Sequence, residues 1–381
     1  MLIMLMKKID VNLICGPHPL FKELINYPPK NVKYNVNIIP NTKYNNVFMK
    51  YVKTAITKTQ GILRLPRMMH ARTDSDIIHS TRGVLMTNKK PWVVDVEMAG
   101  SFVGLINWNS LKKPLTRYLI SKYLSSPWCK KILPYSYAAK KNIEEWIDCK
   151  KFKDKIEVVH PAYHTTKVNR EQSDEVTFSF ICRTSPDPLD FYIKGGHDLL
   201  KAFQILNKKY DNIRLKVKGT IPQHLRKNLR NVTFTEENLP REKFYEEFLY
   251  KPDVYVQPTL VDTFAIAVVE AMSVGLPVVA TNMFAMPEII KEGHNGFLIN
   301  TKMHWDKYVK WDPKYEQFNK DAAKNHPEMI KDLVKKLSIL IEDKKLRKKM
   351  GQNSFKILDS GKLSIKRRNK QLRKIYDEAL R

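Results

Sequence analysis

Short apolar runs alternate with longer amphipathic segments along nearly the whole chain, and the alternation starts afresh near its middle. That order dictates strands crossed over by helices, hence α/β folding with parallel sheets. In the first half the runs predict strands at Ile9–Cys15, Asp76–Ser80, Trp92–Glu97, Lys131–Tyr135 and Ile156–His160, with helices such as Pro114–Leu124 and Ala138–Trp146 between them. Thr165–Glu175 is polar and carries no hydrophobic period, so a domain boundary is expected there. A second series follows: strands at Val176–Cys182, Arg214–Lys218, Val232–Thr235, Val254–Gln257 and Pro277–Thr281, and helices at Gly196–Asn207, Arg241–Leu249 and Phe264–Val274. Gly275 and Pro277 stand where a helix end places them. Thr301–Asn325 is polar, aromatic and irregular and reads as an insertion or long loop, and the tail beyond Pro327 is helical and basic.

With 381 residues, 43 % of them hydrophobic, the chain can build two cores and is not composed like a disordered protein. A net charge of +28 calls for anionic partners or a lysine-rich solvated surface. The four cysteines, Cys15, Cys129, Cys149 and Cys182, show neither C-x-x-C nor zinc-finger spacing, which fits a reducing compartment. No stretch reaches the ~18–20 apolar residues of a membrane span. The apolar start Met1–Met6 lacks the basic-then-apolar order of a signal peptide. A cytoplasmic protein is expected, with peripheral contact at the inner membrane face left open.

Glu270 is the one charge between Thr263 and Thr281. A carboxylate in so apolar a run is costly unless something donates hydrogen bonds to it. It is followed by Ala271-Met272 and Gly275-Leu276-Pro277-Val278-Val279, and Asp262 precedes it by eight positions. Upstream, a strand-like run ends in Arg183, and Lys194-Gly195-Gly196 opens the next helix. These residues resemble the retaining glycosyltransferases of the GT4 type (glycosyl transferases group 1), whose motif is two glutamates separated by seven residues, then Ala-Met and Gly-x-Pro-Val-Val. The resemblance is clear from about Val176 to Ile299 and resumes near Leu346–Ile357 and in the C-terminal helix.

The resemblance implies a GT-B architecture: two Rossmann-like α/β/α domains facing across a cleft, an acceptor domain over 1–168 on which a helix at about 362–381 packs back, and a donor domain over 169–361. It implies a hexosyltransferase-type enzyme that takes a nucleotide-diphosphate sugar, UDP- or GDP-linked, to an acceptor hydroxyl on a glycan or lipid-linked molecule, with retention and without a metal or other cofactor. Glu270 would hold the ribose, Arg183 and Lys194 the diphosphate, and Asp262 hydroxyls of the transferred sugar. Gly219, ending the strand-like Arg214–Lys218, and Thr263, Phe264, Ala265 and Ile266, read as the first helical turn, would line the same site. Charge grows on the departing diphosphate as the glycosidic bond breaks, which is why fixed cations are needed. Two positions depart from the pattern: Asp262 replaces a glutamate, and Ala265 stands where glycine is common.

The first half is less specific. Cys15-Gly16-Pro17-His18-Pro19 is no dinucleotide fingerprint. Asp95 and Glu97 fall on one face of their strand; Glu97 occupies the place of a histidine in many relatives and is expected to orient or deprotonate the acceptor hydroxyl. Pro114–Lys131 mixes apolar and basic residues, as a surface helix or an anionic-membrane contact would. Other readings are a silent sugar-nucleotide binder, a GT-B epimerase and, on charge alone, a nucleic-acid binder. The last is disfavoured, because aromatics do not interleave with the basic residues.

Overall fold

The computed structural model describes residues 7–381 except 17, 39–64, 105–107, 171–172, 186 and 228. The apolar start Met1–Met6 and Pro17 therefore lie outside the described residues. The chain forms two compact units: residues up to Ala162 together with Ile365–Arg381, and Tyr163–Ser364.

The first unit holds strands β1 (Ile9–Cys15), β2 (Val32–Ile38), β3 (Met68–Met69), β4 (Ile77–Ser80), β5 (Leu85–Met86), β6 (Trp92–Val96) and β7 (Cys129–Pro134). Five of them make a sheet in the order β2-β1-β4-β6-β7, every described pairing parallel, while β3 and β5 pair with each other. The central strands β4 and β6 are buried along their full length. Buried on both faces, they read in sequence as continuous apolar runs. The expected strand Ile156–His160 is not formed. Only Ile156 bridges to Ile132: the Glu157 and Val159 N–H groups still donate to the Ile132 and Pro134 carbonyls, but Pro134 has no N–H to return and the ladder stops. The C-terminal helix Ile365–Ala379 supplies core to this unit: Arg368 donates to the carbonyls of Glu23 and Tyr27, and the Tyr376 hydroxyl bonds His79 Nδ1 at 2.6 Å.

The second unit holds β8 (Val176–Ile181), β9 (Ile213–Lys218), β10 (Val232–Thr235), β11 (Val254–Gln257), β12 (Val278–Thr281) and β13 (Gly296–Ile299), in the order β10-β9-β8-β11-β12-β13 and again parallel. This is the doubly wound Rossmann order. The unit begins at Tyr163, earlier than the polar segment suggests, because Tyr163 and Thr166 already bond to Glu270 and Ser273.

The helix Ile266–Ser273 is apolar on nearly all sides and buried, as such a helix must be. It stops at Gly275, whose φ of 78° lets the Gly275 and Leu276 N–H groups turn back onto Met272 and Ala271 carbonyls. The expected helix Arg241–Leu249 is an α-helix only over Arg241–Tyr245 and continues as a π-helical turn, Glu246–Tyr250. Thr301–Asn325, read as irregular, carries two short helices, Trp305–Trp311 and Glu316–Ala322. Trp305 and Phe318 are fully buried in it, so its aromatics are core rather than loop.

Candidate active site

Open parallel sheets bind ligands at the carboxyl ends of their strands, where the strand order reverses. In the second unit that point lies between β8 and β11. The chain leaves β8 into Cys182-Arg183, β9 into Gly219 and β11 into Pro258. Most of the residues expected from sequence to bind a donor follow these ends.

Two glycines permit the crowding there. Gly195 has φ 73°, and a Cβ on it would stand 2.0 Å from the Pro258 carbonyl oxygen. Gly219 has φ 130°, and its Cβ would stand 2.2 Å from Cys182 Sγ. With Gly195 against Pro258, the Leu260 N–H reaches the Ile193 carbonyl at 2.7 Å. Lys194 then turns its ammonium onto the Val261 carbonyl at 2.9 Å and Asp262 Oδ2 at 2.8 Å. Asp262 Oδ1 accepts from the Ala265 N–H at 2.7 Å. One carboxylate thus holds the lysine and closes the turn into the helix.

That turn is not the helical one expected for Thr263–Ile266. Ala265 is left-handed (φ 49°, ψ 71°) and the helix begins at Ile266. A side chain in this region costs roughly 1–2 kcal/mol, which glycine avoids and which accounts for glycine being common at this position. Phe264 is 2 % exposed and belongs to the core, whereas Ile266 and Ala267 are partly open at the start of the helix. Amides of a first helical turn have no partner four residues back and, with the helix dipole, suit an anion.

Glu270 lies one turn further on and is 9 % exposed. Its Oε1 accepts from the Tyr163 hydroxyl at 2.7 Å and the Tyr245 hydroxyl at 2.8 Å, with the Arg241 guanidinium 3.7 Å away. Arg241 also donates to both tyrosine oxygens. Burial, and then the charge on Glu270, push both tyrosines well above the ordinary phenol range, so both stay protonated donors. All these contacts converge on Oε1, while Oε2 takes no hydrogen bond from the described residues. Sequence reasoning missed these three partners. Arg241 and Tyr245, four apart on one helix face, left a faint signal; Tyr163 left none.

Arg183 is not drawn into this group. Its side chain is 78 % exposed and pairs with Asp190 at 3.9 Å, and no contact joins it to Lys194, Asp262 or Glu270 among the described residues. A cation the sequence reading overlooked is nearer the strand ends: Lys218, the last residue of β9, is buried and donates to Thr184 Oγ1 at 2.7 Å. Burial lowers its pKa.

In the first unit the order reverses between β1 and β4. Asp95 Oδ1 accepts from the Arg82 N–H at 2.7 Å and the Tyr135 hydroxyl at 2.8 Å, and Oδ2 stands 3.5 Å from His79 Nε2. Asp95 is thereby committed to holding strand ends together. Glu97 pairs with the Arg82 guanidinium at 2.8 Å. His18, just past β1, accepts the Leu20 N–H at Nδ1, which leaves Nε2 as a donor in the neutral ring. Its pKa is lowered by burial first and by Arg82 next. A cavity of about 40 Å³ lies between His79, Asp95, Tyr135 and Arg368, room enough for a water.

Fold and strand order together define an α/β protein of GT-B architecture, with two Rossmann-like domains. Solved structures agree in fold: HepE of Anabaena, in complex with UDP and glucose, superposes with a TM-score of 0.59 at 13 % identity over 96 % of this chain and 99 % of that one. Sucrose-phosphate synthase of Thermosynechococcus elongatus gives 0.58 at 13 % over 97 % and 98 %. Residues 189–312 match the model of the glycosyl transferases group 1. An uncharacterized glycosyltransferase of Haemophilus influenzae is 26 % identical over 229 residues, 59 % of this chain and 60 % of the relative. One of Methanocaldococcus jannaschii is 31 % identical over 144 residues, 37 % and 33 %. The chain spans 60 % or less of the length of these two relatives. No helix among the described residues is long and apolar enough to cross a membrane.

Proposed function

We propose that this chain is a nucleotide-sugar-dependent glycosyltransferase of the retaining, GT4 kind, moving a hexose from a nucleoside diphosphate to an acceptor hydroxyl. The observation that carries the reading is Glu270: a carboxylate in an apolar helix whose Oε1 is filled by protein donors while Oε2 takes none from the described residues. Vicinal ribose hydroxyls are the donors such an oxygen fits. The amides at Ile266 and Ala267 suit the diphosphate, and Asp262 with Lys194 suits the hydroxyls and phosphate of the sugar end. Lys194 and Lys218 supply fixed charge against which a diphosphate can depart; one such contact is worth roughly 3 kcal/mol. Arg183, on its exposed loop, would join them by swinging inward on donor binding. UDP is the favoured nucleotide, since the structural neighbour HepE is in complex with UDP and glucose. None of these roles draws on a metal ion.

The first unit would carry the acceptor. Glu97, held by Arg82, orients the attacking hydroxyl, and His18 donates to it. The helix Pro114–Ser125 exposes Leu115 and Tyr118, with Lys122 5.9 Å over the Tyr118 ring, a surface suited to an anionic membrane bearing a lipid-linked acceptor. The test is a thermal-shift panel of UDP, GDP, ADP and their hexose conjugates on wild type and Glu270→Ala. A ligand that binds the folded state raises the melting temperature. A rise with one nucleotide family, absent in the variant, supports the reading; no rise with any nucleotide at millimolar concentration refutes it.

A further inference from the structure

We propose that His197, Asp198, His326 and the backbone carbonyl of Lys324 form a structural site for a divalent transition-metal ion, zinc by preference. The site shares no residue with the proposed donor site and stands or falls independently of it.

The starting point is a charge without an obvious counter-charge. Asp198 is fully buried, yet no lysine or arginine pairs with it among the described residues; its ion-pair partners are His197 and His326. A buried carboxylate must be paired or bind a cation. The start of the helix Gly196–Leu206 contributes only about half a positive charge. The remainder has to come from an imidazolium or from a metal.

The geometry favours the metal. One ligand atom from each of His197, Asp198 and His326 lies within 4.8 Å of the others. Asp198 Oδ2 is 3.3 Å from His197 Nε2 and 2.7 Å from His326 Nδ1, and His197 Nε2 is 2.7 Å from the Lys324 carbonyl oxygen. Tetrahedral zinc with bonds of about 2.1 Å spaces its ligand atoms about 3.4 Å apart, so the 3.3 Å spacing of Asp198 Oδ2 and His197 Nε2 already suits it, while the two 2.7 Å contacts have to open by about 0.7 Å, a shift that side-chain rotation can supply. Two imidazoles, a carboxylate and a carbonyl are donors that zinc, cobalt and nickel accept and that calcium and magnesium, which prefer all-oxygen shells, do not.

Four protein ligands make a closed, structural site rather than a catalytic one. The ion would fasten the helix that opens just after Lys194-Gly195 to the chain segment between the helices Glu316–Ala322 and Pro327–Glu342. Two of its ligands are neighbours in sequence and the others lie far along the chain, so binding closes a loop of over a hundred residues.

The experiment uses the full chain with any affinity tag removed. Zinc content is measured, the metal is replaced with cobalt, and melting temperature is followed with chelator and with added zinc. One zinc per chain is expected, with intense visible bands from four-coordinate cobalt and a melting temperature that falls on chelation and recovers with zinc. His326→Ala and Asp198→Asn should each weaken binding by about 100-fold or more, while the exposed His70→Ala leaves it unchanged. If Asp198→Asn does not fold, the cobalt spectrum of His326→Ala decides. Wild type without stoichiometric zinc or cobalt bands, or zinc retained equally in both ligand variants, overturns the proposal. Stability that falls as pH rises through the histidine range, with no response to metal or chelator, also overturns it and assigns the counter-charge to a protonated His326.

Discussion

Tyr245→Phe removes one hydroxyl from the Glu270 carboxylate and changes little else in size. Hydrogen bonds to charged groups contribute about 1.5–3 kcal/mol and neutral ones about 0.5–1.5 kcal/mol. The Tyr245 hydroxyl donates to Glu270 at 2.8 Å and also accepts from Arg241 at 2.7 Å. The substitution should therefore cost about 2 kcal/mol in the wild-type chain but only about 1 kcal/mol in a Glu270→Gln background. The Arg241 contact is present in both backgrounds and cancels, which leaves a coupling of about 1 kcal/mol for the tyrosine–carboxylate pair. For a unit of this size, 2 kcal/mol lowers the melting temperature by about 4–8 °C. Urea unfolding of the four proteins in the cycle measures the coupling, and titration of the nucleotide that stabilises wild type measures its functional counterpart. With Glu270 less firmly aimed, the dissociation constant should rise by about tenfold, equivalent to about 1.4 kcal/mol. Single and double substitutions that add within about 0.3–0.5 kcal/mol would refute the claim that these tyrosines brace the carboxylate.

Gly195→Ala should destabilise the second unit by about 3 kcal/mol or more, because it adds left-handed strain to a collision with the Pro258 carbonyl; denaturant midpoints check this. Asp262→Asn frees Lys194 and weakens the turn at Ala265, so binding of the intact sugar nucleotide should drop about tenfold while the bare nucleotide is affected less, as calorimetry can resolve. Trp305→Ala should cost about 3–5 kcal/mol, as a core residue does, and a loss within about 0.5 kcal/mol would return Thr301–Asn325 to the status of a loop. Burial lowers the Lys218 pKa beneath its ordinary 10.5, so between the two values the unfolded chain binds more protons. Stability from this residue therefore rises as pH climbs towards 10.5, and comparison with Lys218→Met at several alkaline pH values should show that increment lost.

The parallel sheets were legible because buried strands are written as largely apolar runs; β11, buried throughout, falls where the sequence places it, and the half-exposed edge strand β10 shows instead as an alternation of apolar residues and threonine. The edge strand β2, Val32–Ile38, was not legible, since Asn35 and Asn37 interrupt it and a bond from Asn37 to Asn12 serves where apolar packing would otherwise speak. Helix ends written in glycine were readable, as at Gly275, but the left-handed Ala265 was not, because alanine announces a helix and only the Asp262 carboxylate on its N–H shows otherwise. Around Glu270 the sequence supplied the carboxylate and its apolar setting. It could not supply Tyr163, 107 residues away, because a hydroxyl aimed at one oxygen is a property of tertiary packing. The exposed Arg183 illustrates the converse: position in a motif does not by itself bring a flexible side chain to the strand ends.

The helix Ile365–Ala379 belongs to the unit that the chain begins with, and the whole of the other unit is inserted before it. On the ribosome this reverses the customary order, in which the N-terminal domain is finished first. The second unit emerges complete while the first still lacks Arg368 for the Glu23 and Tyr27 carbonyls and Tyr376 for His79. Throughout that interval the first sheet has an uncovered flank, with Tyr34 and His79 awaiting their partner. Nascent chains arrested before Ile365 should therefore be prime clients for chaperones, whereas extension through Ala379 lets the flank close.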